Sequence, residues 1–193
     1  MSLPTEPSPR PSPPSFLPAP LRRRLETVQR RYAHGHDRPL LGYLALSSTY
    51  GVGALTLGLL VRRHGESRIS TRDLALITVA THRLSRTLAK DAVTSPLRAP
   101  FTTYSGPGLP SEVNEEVAPQ KEGTQVGHAV AELVSCPFCL AQWIATGLVA
   151  GQLIAPTLTR HLTSTLTAVA GADVLHFAYS ALERLEQQAQ EST

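Results

Sequence analysis

A stretch of 23 residues without a single charge, Pro39 to Val61 (PLLGYLALSSTYGVGALTLGLLV), restricts the fold of this chain more than any other feature. Wound as a helix at about 1.5 Å per residue it reaches about 34 Å, enough to cross a hydrocarbon core about 30 Å thick. A signal peptide has a shorter apolar region closed by a small-residue cleavage site. This segment is longer and lies deeper in the chain, so it reads as an uncleaved anchor. The competing reading is a buried helix of a soluble domain. Composition does not force the choice, because 41% hydrophobic residues would suit a soluble protein of 193 residues. The apolar residues are, however, gathered into segments that a polar tail and a polar central loop dilute.

The other segments arrange themselves around this anchor. Residues 1–20 hold eight prolines, among them Pro4, Pro7, Pro9, Pro11, Pro13 and Pro14. Proline removes backbone donors and blocks helix, so the tail is expected to be disordered or polyproline-like, with an SH3-type ligand as the sharper alternative. Residues 21–38 form a basic juxtamembrane segment carrying Arg22, Arg23, Arg24, Arg30, Arg31 and Arg38. The first transmembrane helix covers residues 39–62. Ser70-Thr71-Arg72-Asp73 then has the spacing of a capping box and predicts a helix start. Leu74, Ile77, Thr81, Leu84 and Leu88 fall on one stripe of that helix, with Arg72, Arg83, Arg86 and Lys90 opposite. Such a helix either lies partly at the bilayer interface or makes a short second span.

A family-like membrane domain is expected over residues 69–182, interrupted by a loop at 91–124. That loop is rich in Pro and Gly and reads as irregular, so it must stay in water or against protein. A third span runs from about Cys139 to about Pro156. Trp143 lies near its end, and Gly147 and Gly151 have the spacing that lets a second helix approach closely. A fourth apolar stretch runs from about Leu162 to Leu182 and forms an antiparallel hairpin with the third. Residues 183–193 are a polar C-terminal end. The expected fold is all-α: a small integral membrane bundle of about four helices, three clear hydrophobic spans plus one amphipathic or short spanning helix, with no strand of consequence.

Charge distribution sets the expected topology. With four crossings, one side carries Arg22, Arg23, Arg24, Arg30, Arg31, Arg38, Arg83, Arg86, Lys90, Arg98, Lys121 and Arg184. The other carries Arg62, Arg63, Arg68, Arg72 and Arg160. By the positive-inside rule both termini are cytoplasmic in a multi-pass cell-membrane protein. The net charge of +3 points to an anionic membrane surface rather than nucleic acid, for which there is no recognition motif and too few aromatic residues.

Three groups of residues carry candidate chemistry. Cys136-Pro137-Phe138-Cys139 holds the two cysteines of the chain. It reads as structural thiols at a helix start, as a redox pair, or as half of a zinc site completed by histidines such as His128 or His82 or by a second chain. No cofactor is expected beyond that possible zinc. Asp173 and His176 share a helix face; an acid within a span suggests an ion pathway, proton relay or ligand contact, against a structural hydrogen bond to Gln142, Gln152 or a basic residue of the second helix. Arg83, Arg86, Lys90 and Arg98 either hold lipid phosphates, pair with the acidic loop or set topology. Arg98 is also expected near the CPFC turn, donating to loop carbonyls or to Glu132. No Walker loop, HExxH, nucleophile elbow or dinucleotide fingerprint is present, so an enzyme is not expected.

The runs THRLSRTLAKDAVTSPLRAPF, SEVNEE and GHAVAELVSCPFCLAQW resemble the bacterial and phage family catalogued as domain of unknown function 1360, small hydrophobic proteins that include a sporulation-associated member. The resemblance covers about Ile69 to Leu182. It implies that Arg83, Asp91, Pro96, Arg98, Pro100, Phe101, Cys136, Pro137, Cys139 and Trp143 are the family's motif positions, and it implies no activity. The function expected is therefore assembly or partner binding in the membrane, with lipid, further copies of the chain or other membrane proteins as partners. The alternatives are a thiol or metal protein built on CPFC, and a small ion or proton pathway using Asp173.

Overall fold

A computed structural model describes residues 19–33, 38–64, 69–117 and 125–191. Most of them are helical: α1 Ala19–Ala33, α2 Leu40–His64, α3 Thr71–Lys90, α4 Ser95–Arg98, α5 Gln125–Ser135, α6 Pro137–Ile154 and α7 Pro156–Glu191. The spans expected from the sequence correspond to α2, α3, α6 and α7. Of these, α2 and α6 are long and apolar enough to cross a membrane. The basic juxtamembrane segment is itself a helix, α1, rich in the Leu, Arg, Glu and Gln that favour helix. The polar C-terminal end continues α7 without a break as far as Glu191. The proline-rich tail lies outside the described residues except for Ala19 and Pro20, which open α1.

One segment departs from the expected all-α fold. The loop read as irregular holds a 3-10 turn, Ala92–Thr94, then α4 and an antiparallel hairpin of β1 Thr102–Pro107 and β2 Val113–Val117. Thr102 pairs with Val117, Tyr104 with Glu115 and Pro107 with Val113. Ser105 is the extra residue of a bulge between Tyr104 and Gly106, and Gly106 takes φ +152°, which a side chain would disfavour. Val113, Glu115 and Val117 are half-buried while Asn114 and Glu116 are exposed, the period of two that a one-sided strand requires. Pro and Gly here punctuate a hairpin; they do not mark the absence of structure.

Two compact units divide the chain. The first comprises its described residues up to Thr56 together with Leu88–Cys139; the second comprises Leu57–Thr87 and Leu140–Thr193. In the first, the start of α2 lies against the start of α5. A Cβ on Gly42 would sit 2.1 Å from the Gln125 carbonyl oxygen and 2.7 Å from the Ala129 Cβ. The Gln125 side chain, buried in this contact, accepts the Leu41 N–H at 3.1 Å, one of the amides that the first turn of a helix leaves without an internal partner.

In the second unit Ile77 and Ala80 of α3 and Leu148 of α6 form a core flanked by Ile69, Ile144, Val149 and Leu166. The inward stripe of α3 is offset from the expected one. Asp73, Ile77 and Ala80 are buried, whereas Leu74 is 54% exposed. The offset follows from Asp73, whose partner lies on α7. Gly151 provides the close approach between α6 and α7, since a Cβ there would sit 2.8 Å from the Thr159 hydroxyl; Gly147 meets nothing within 4 Å.

Gly42→Ala should destabilise the protein by about 1–3 kcal/mol, the usual cost of forcing a methyl into a filled contact. Gly53→Ala, in open space on the same helix, should be neutral or slightly stabilising, because alanine favours helix by about 1 kcal/mol. Unfolding in detergent followed by circular dichroism separates the two, and equal effects would remove the α2–α5 contact as the cause.

Candidate functional site

The sequence-predicted positions Asp91 and Arg98 meet in the first unit around one guanidinium. Arg98 is 1% exposed. Its Nε donates to Glu115 Oε2 at 2.8 Å and its Nη2 to Glu115 Oε1 at 3.1 Å, a two-pronged pair. Nη1 donates to the Leu88 carbonyl at 2.8 Å and the Thr94 hydroxyl at 2.6 Å. Nη2 also reaches the Asp91 carbonyl at 3.1 Å and the Ser95 hydroxyl at 3.3 Å. The Leu88 carbonyl belongs to the last turn of α3, where oxygens lack helical partners and a cation is favoured. Arg98 thus closes the end of α3, the 3-10 turn and α4, and ties all three to β2.

Glu115 is satisfied in the same way. Besides Arg98 it accepts from Ser95 Oγ at 2.9 Å and from Thr102 Oγ1 at 2.9 Å. Burial alone would raise its carboxyl pKa, but the bonds from Arg98, Thr102 and Ser95 and the charge of Arg98 outweigh burial and hold it below the usual range. Phe101 follows Arg98 in a turn, its N–H donating to the Arg98 carbonyl at 2.8 Å, and the Ala92 N–H donates to Ser111 O at 2.8 Å, drawing the hairpin tip back toward Asp91. The expected carbonyl acceptors of Arg98 are therefore present, but its carboxylate is Glu115, not Glu132. A guanidinium so enclosed cannot hold a lipid phosphate, which removes Arg98 from the proposed lipid-binding set. Pairing with the acidic loop, one of the readings of Arg98, is thus what the structure shows, and the alternation Val113-Asn114-Glu115-Glu116-Val117 turns Glu115 inward as its partner.

Glu132 on α5 gathers a second cluster. It accepts from the Tyr43 hydroxyl and from Arg38 Nη1 at 3.4 Å, and His128 Nε2 lies 3.6 Å away one turn earlier. At the end of α5 the chain turns into the CPFC segment. Cys136 Sγ accepts the Cys139 N–H at 3.3 Å and Pro137 is the first residue of α6, so Cys136 caps that helix. Both thiols are free, Cys136 half-buried and Cys139 exposed. Trp143 follows Cys139 by one turn of α6 and is half-buried.

In the second unit two charged residues of α7, Arg160 and Asp173, find partners on α3. Ser70 caps α3 where the capping-box spacing predicts a helix start, the Asp73 N–H donating to Ser70 Oγ at 3.1 Å and the Ser70 hydroxyl to Asp73 Oδ2 at 2.8 Å. Arg160 then grips Asp73 with Nε and Nη2, each at 3.0 Å. Thr167 Oγ1 donates to the Leu76 carbonyl at 3.3 Å, and Arg83 Nε lies 3.2 Å from Asp173 Oδ2. These partners advance together along both helices, so α3 and α7 run parallel. Arg83, expected on the polar face with Arg86 and Lys90, turns to α7 instead. His176, three residues past Asp173, is exposed. Among the described residues no group of three or more His, Cys, Asp or Glu side chains is placed to hold a metal.

Residues 76–179 match the family described as "Protein of unknown function (DUF1360)". The chain belongs to this family. Sporulation protein YjcA of Bacillus subtilis (strain 168) is 32% identical to it over 103 residues, which are 53% of this chain and 86% of that relative. No solved structure matches the chain. The family region contains the Arg98–Glu115 knot, the CPFC cap and the Arg83–Asp173 pair. The helices α1 and α2 precede it, and α2 is joined to it through Gln125 and Glu132.

Arg98→Ala should destabilise the protein by about 3–5 kcal/mol, because it leaves a buried carboxylate without its countercharge. Since the folded Glu115 pKa is depressed, the pair's contribution is complete above the ordinary glutamate value of about 4.3 and is lost as pH falls through the folded value. Amide exchange in β1 and β2 should therefore accelerate as pH is lowered below about 4, after correction for intrinsic exchange. Glu115→Gln should flatten that pH dependence; an unchanged profile would assign it to other acids.

Proposed function

We propose that the chain is a multi-pass protein of the bacterial cell membrane. Its helices α2, α3, α6 and α7 form a four-helix membrane bundle with both termini cytoplasmic, and it acts by assembly or by binding other membrane proteins rather than by catalysis. The observation that carries this reading is α2. None of its apolar window is buried, and Leu44, Val52, Leu55, Leu59 and Leu60 stand exposed along it. A surface of that kind is not stable in water and fits lipid. The exposed Val174, Leu175, Phe177, Tyr179 and Leu182 of α7 extend the same argument.

The direction of the helices agrees with this topology. In a four-crossing chain the second and fourth crossings run the same way, as α3 and α7 do. Ion pairs between them satisfy charges that would be costly alone in an apolar medium. A relative named as a sporulation protein supports, by likeness, a role connected with sporulation. The absence of any complete catalytic constellation in the sequence favours an assembling or scaffolding part over an enzyme.

Carbonate-washed membranes should retain the chain, and an impermeant maleimide should label Cys139 only after cells are permeabilised. Recovery in the carbonate-soluble fraction would overturn membrane insertion. Labelling of intact cells would reverse the topology. Proteins crosslinked to the chain in its own membrane should include membrane proteins or a second copy.

A further inference from the structure

We propose that Cys136 and Cys139 form a dithiol site that exchanges with disulfides, Cys136 being the attacking sulfur and Cys139 the resolving one. The inference is independent of whether the chain crosses a membrane, because it rests on the local geometry of the α5–α6 turn. Three features of that turn carry it.

The first is the asymmetry of the two sulfurs. Cys136 precedes α6, and its Sγ accepts the Cys139 N–H at 3.3 Å. Pro137, next in the chain, has no N–H to offer, so the Cys139 amide serves the sulfur directly. The Cys136 sulfur thus lies at the N-terminal end of an 18-residue helix with a backbone N–H on it, the position of an attacking sulfur in a Cys-x-x-Cys turn. Cys139 lies inside the first turn of that helix, and its own N–H is the donor to the Cys136 sulfur. The second feature is spacing. Residues three apart across a helix start lie on one side of it, so the sulfur of Cys139 can follow that of Cys136 without unwinding α6. The third is access. Both thiols are free, Cys139 is exposed, and Phe138 between them is 88% exposed. Two sulfurs are only half of a zinc tetrahedron, and the described residues offer no third ligand.

The chemistry balances without a further oxidant. The Cys136 thiolate attacks one sulfur of an incoming disulfide, forming a mixed disulfide and releasing the first thiolate. The Cys139 sulfur then attacks the Cys136 sulfur, closing the internal disulfide and releasing the second thiolate. The protons from Cys136 and Cys139 end on the two released thiols, so one dithiol and one disulfide give one disulfide and two thiols.

The test uses the full chain in detergent with oxidised glutathione. The unsubstituted protein should acquire an internal disulfide that protects both cysteines from alkylation and changes the fluorescence of Trp143, the single tryptophan of the chain; dithiothreitol should reverse both effects. Cys139→Ser should accumulate a glutathione adduct on Cys136, at least about tenfold faster than Cys136→Ser forms one on Cys139. A brief iodoacetamide pulse on the unsubstituted protein gives the same comparison without a substitution, and Cys136 should be labelled first. No internal disulfide, or equal or inverted reactivity of the two thiols, overturns the proposal. Running a cystine-linked peptide beside glutathione identifies the source: faster exchange with the peptide assigns a protein disulfide as the substrate, faster exchange with glutathione a small one.

Discussion

A guanidinium removed from water must find acceptors for all its N–H groups, and the segment between α3 and α5 is organised around that requirement. Arg98 draws on the last turn of α3, the turn after it, α4 and β2. A two-stranded hairpin is marginal by itself in water, so β1 and β2 depend on being fastened to something. Glu115 is that fastening, facing inward between Val113 and Val117. Burying an ion pair costs desolvation that its attraction only partly offsets. The contribution of the pair is therefore geometric: it leaves one arrangement in which neither charge is orphaned.

The second unit meets a similar requirement differently. Small apolar contacts around Ile77, Ala80 and Leu148 bring α3 and α6 together but say little about direction or register. Apolar contact is non-directional, and polar pairs set what it leaves free. Asp73 with Arg160 at the starts of α3 and α7, and Arg83 with Asp173 farther along, fix a parallel pair. An acid in an apolar helix invites a transport reading; here its arginine partner supplies a structural account of the same residue.

The family match runs from α3 into α7, so it includes the motif arginine of the knot, the cysteine cap and the Arg83–Asp173 pair. Arg98 and Cys136 close the ends of α3 and α6 through backbone groups, and Arg83 joins α3 to α7 through the Asp173 carboxylate. The preceding α2 is attached by the same means, with Gln125 capping its first turn and Glu132 receiving Tyr43 and Arg38.

Helix positions were legible in the sequence because they depend on local properties. An uncharged run, the capping-box spacing at Ser70 and a Cys-Pro turn each act within a few residues. The same locality explains why Pro and Gly in residues 91–117 misled: local signals mark where the chain bends, and a hairpin bends as often as a loop. The tertiary structure alone decided which charges meet. Arg98 had several glutamates within chain reach, and only the strand alternation and the end of α3 selected Glu115. Asp73 lies 87 residues from Arg160, a separation over which no sequence pattern specifies a partner. Their pairing turned the inward stripe of α3 away from Leu74, because an ion pair imposes a direction on a helix face that apolar periodicity alone leaves free.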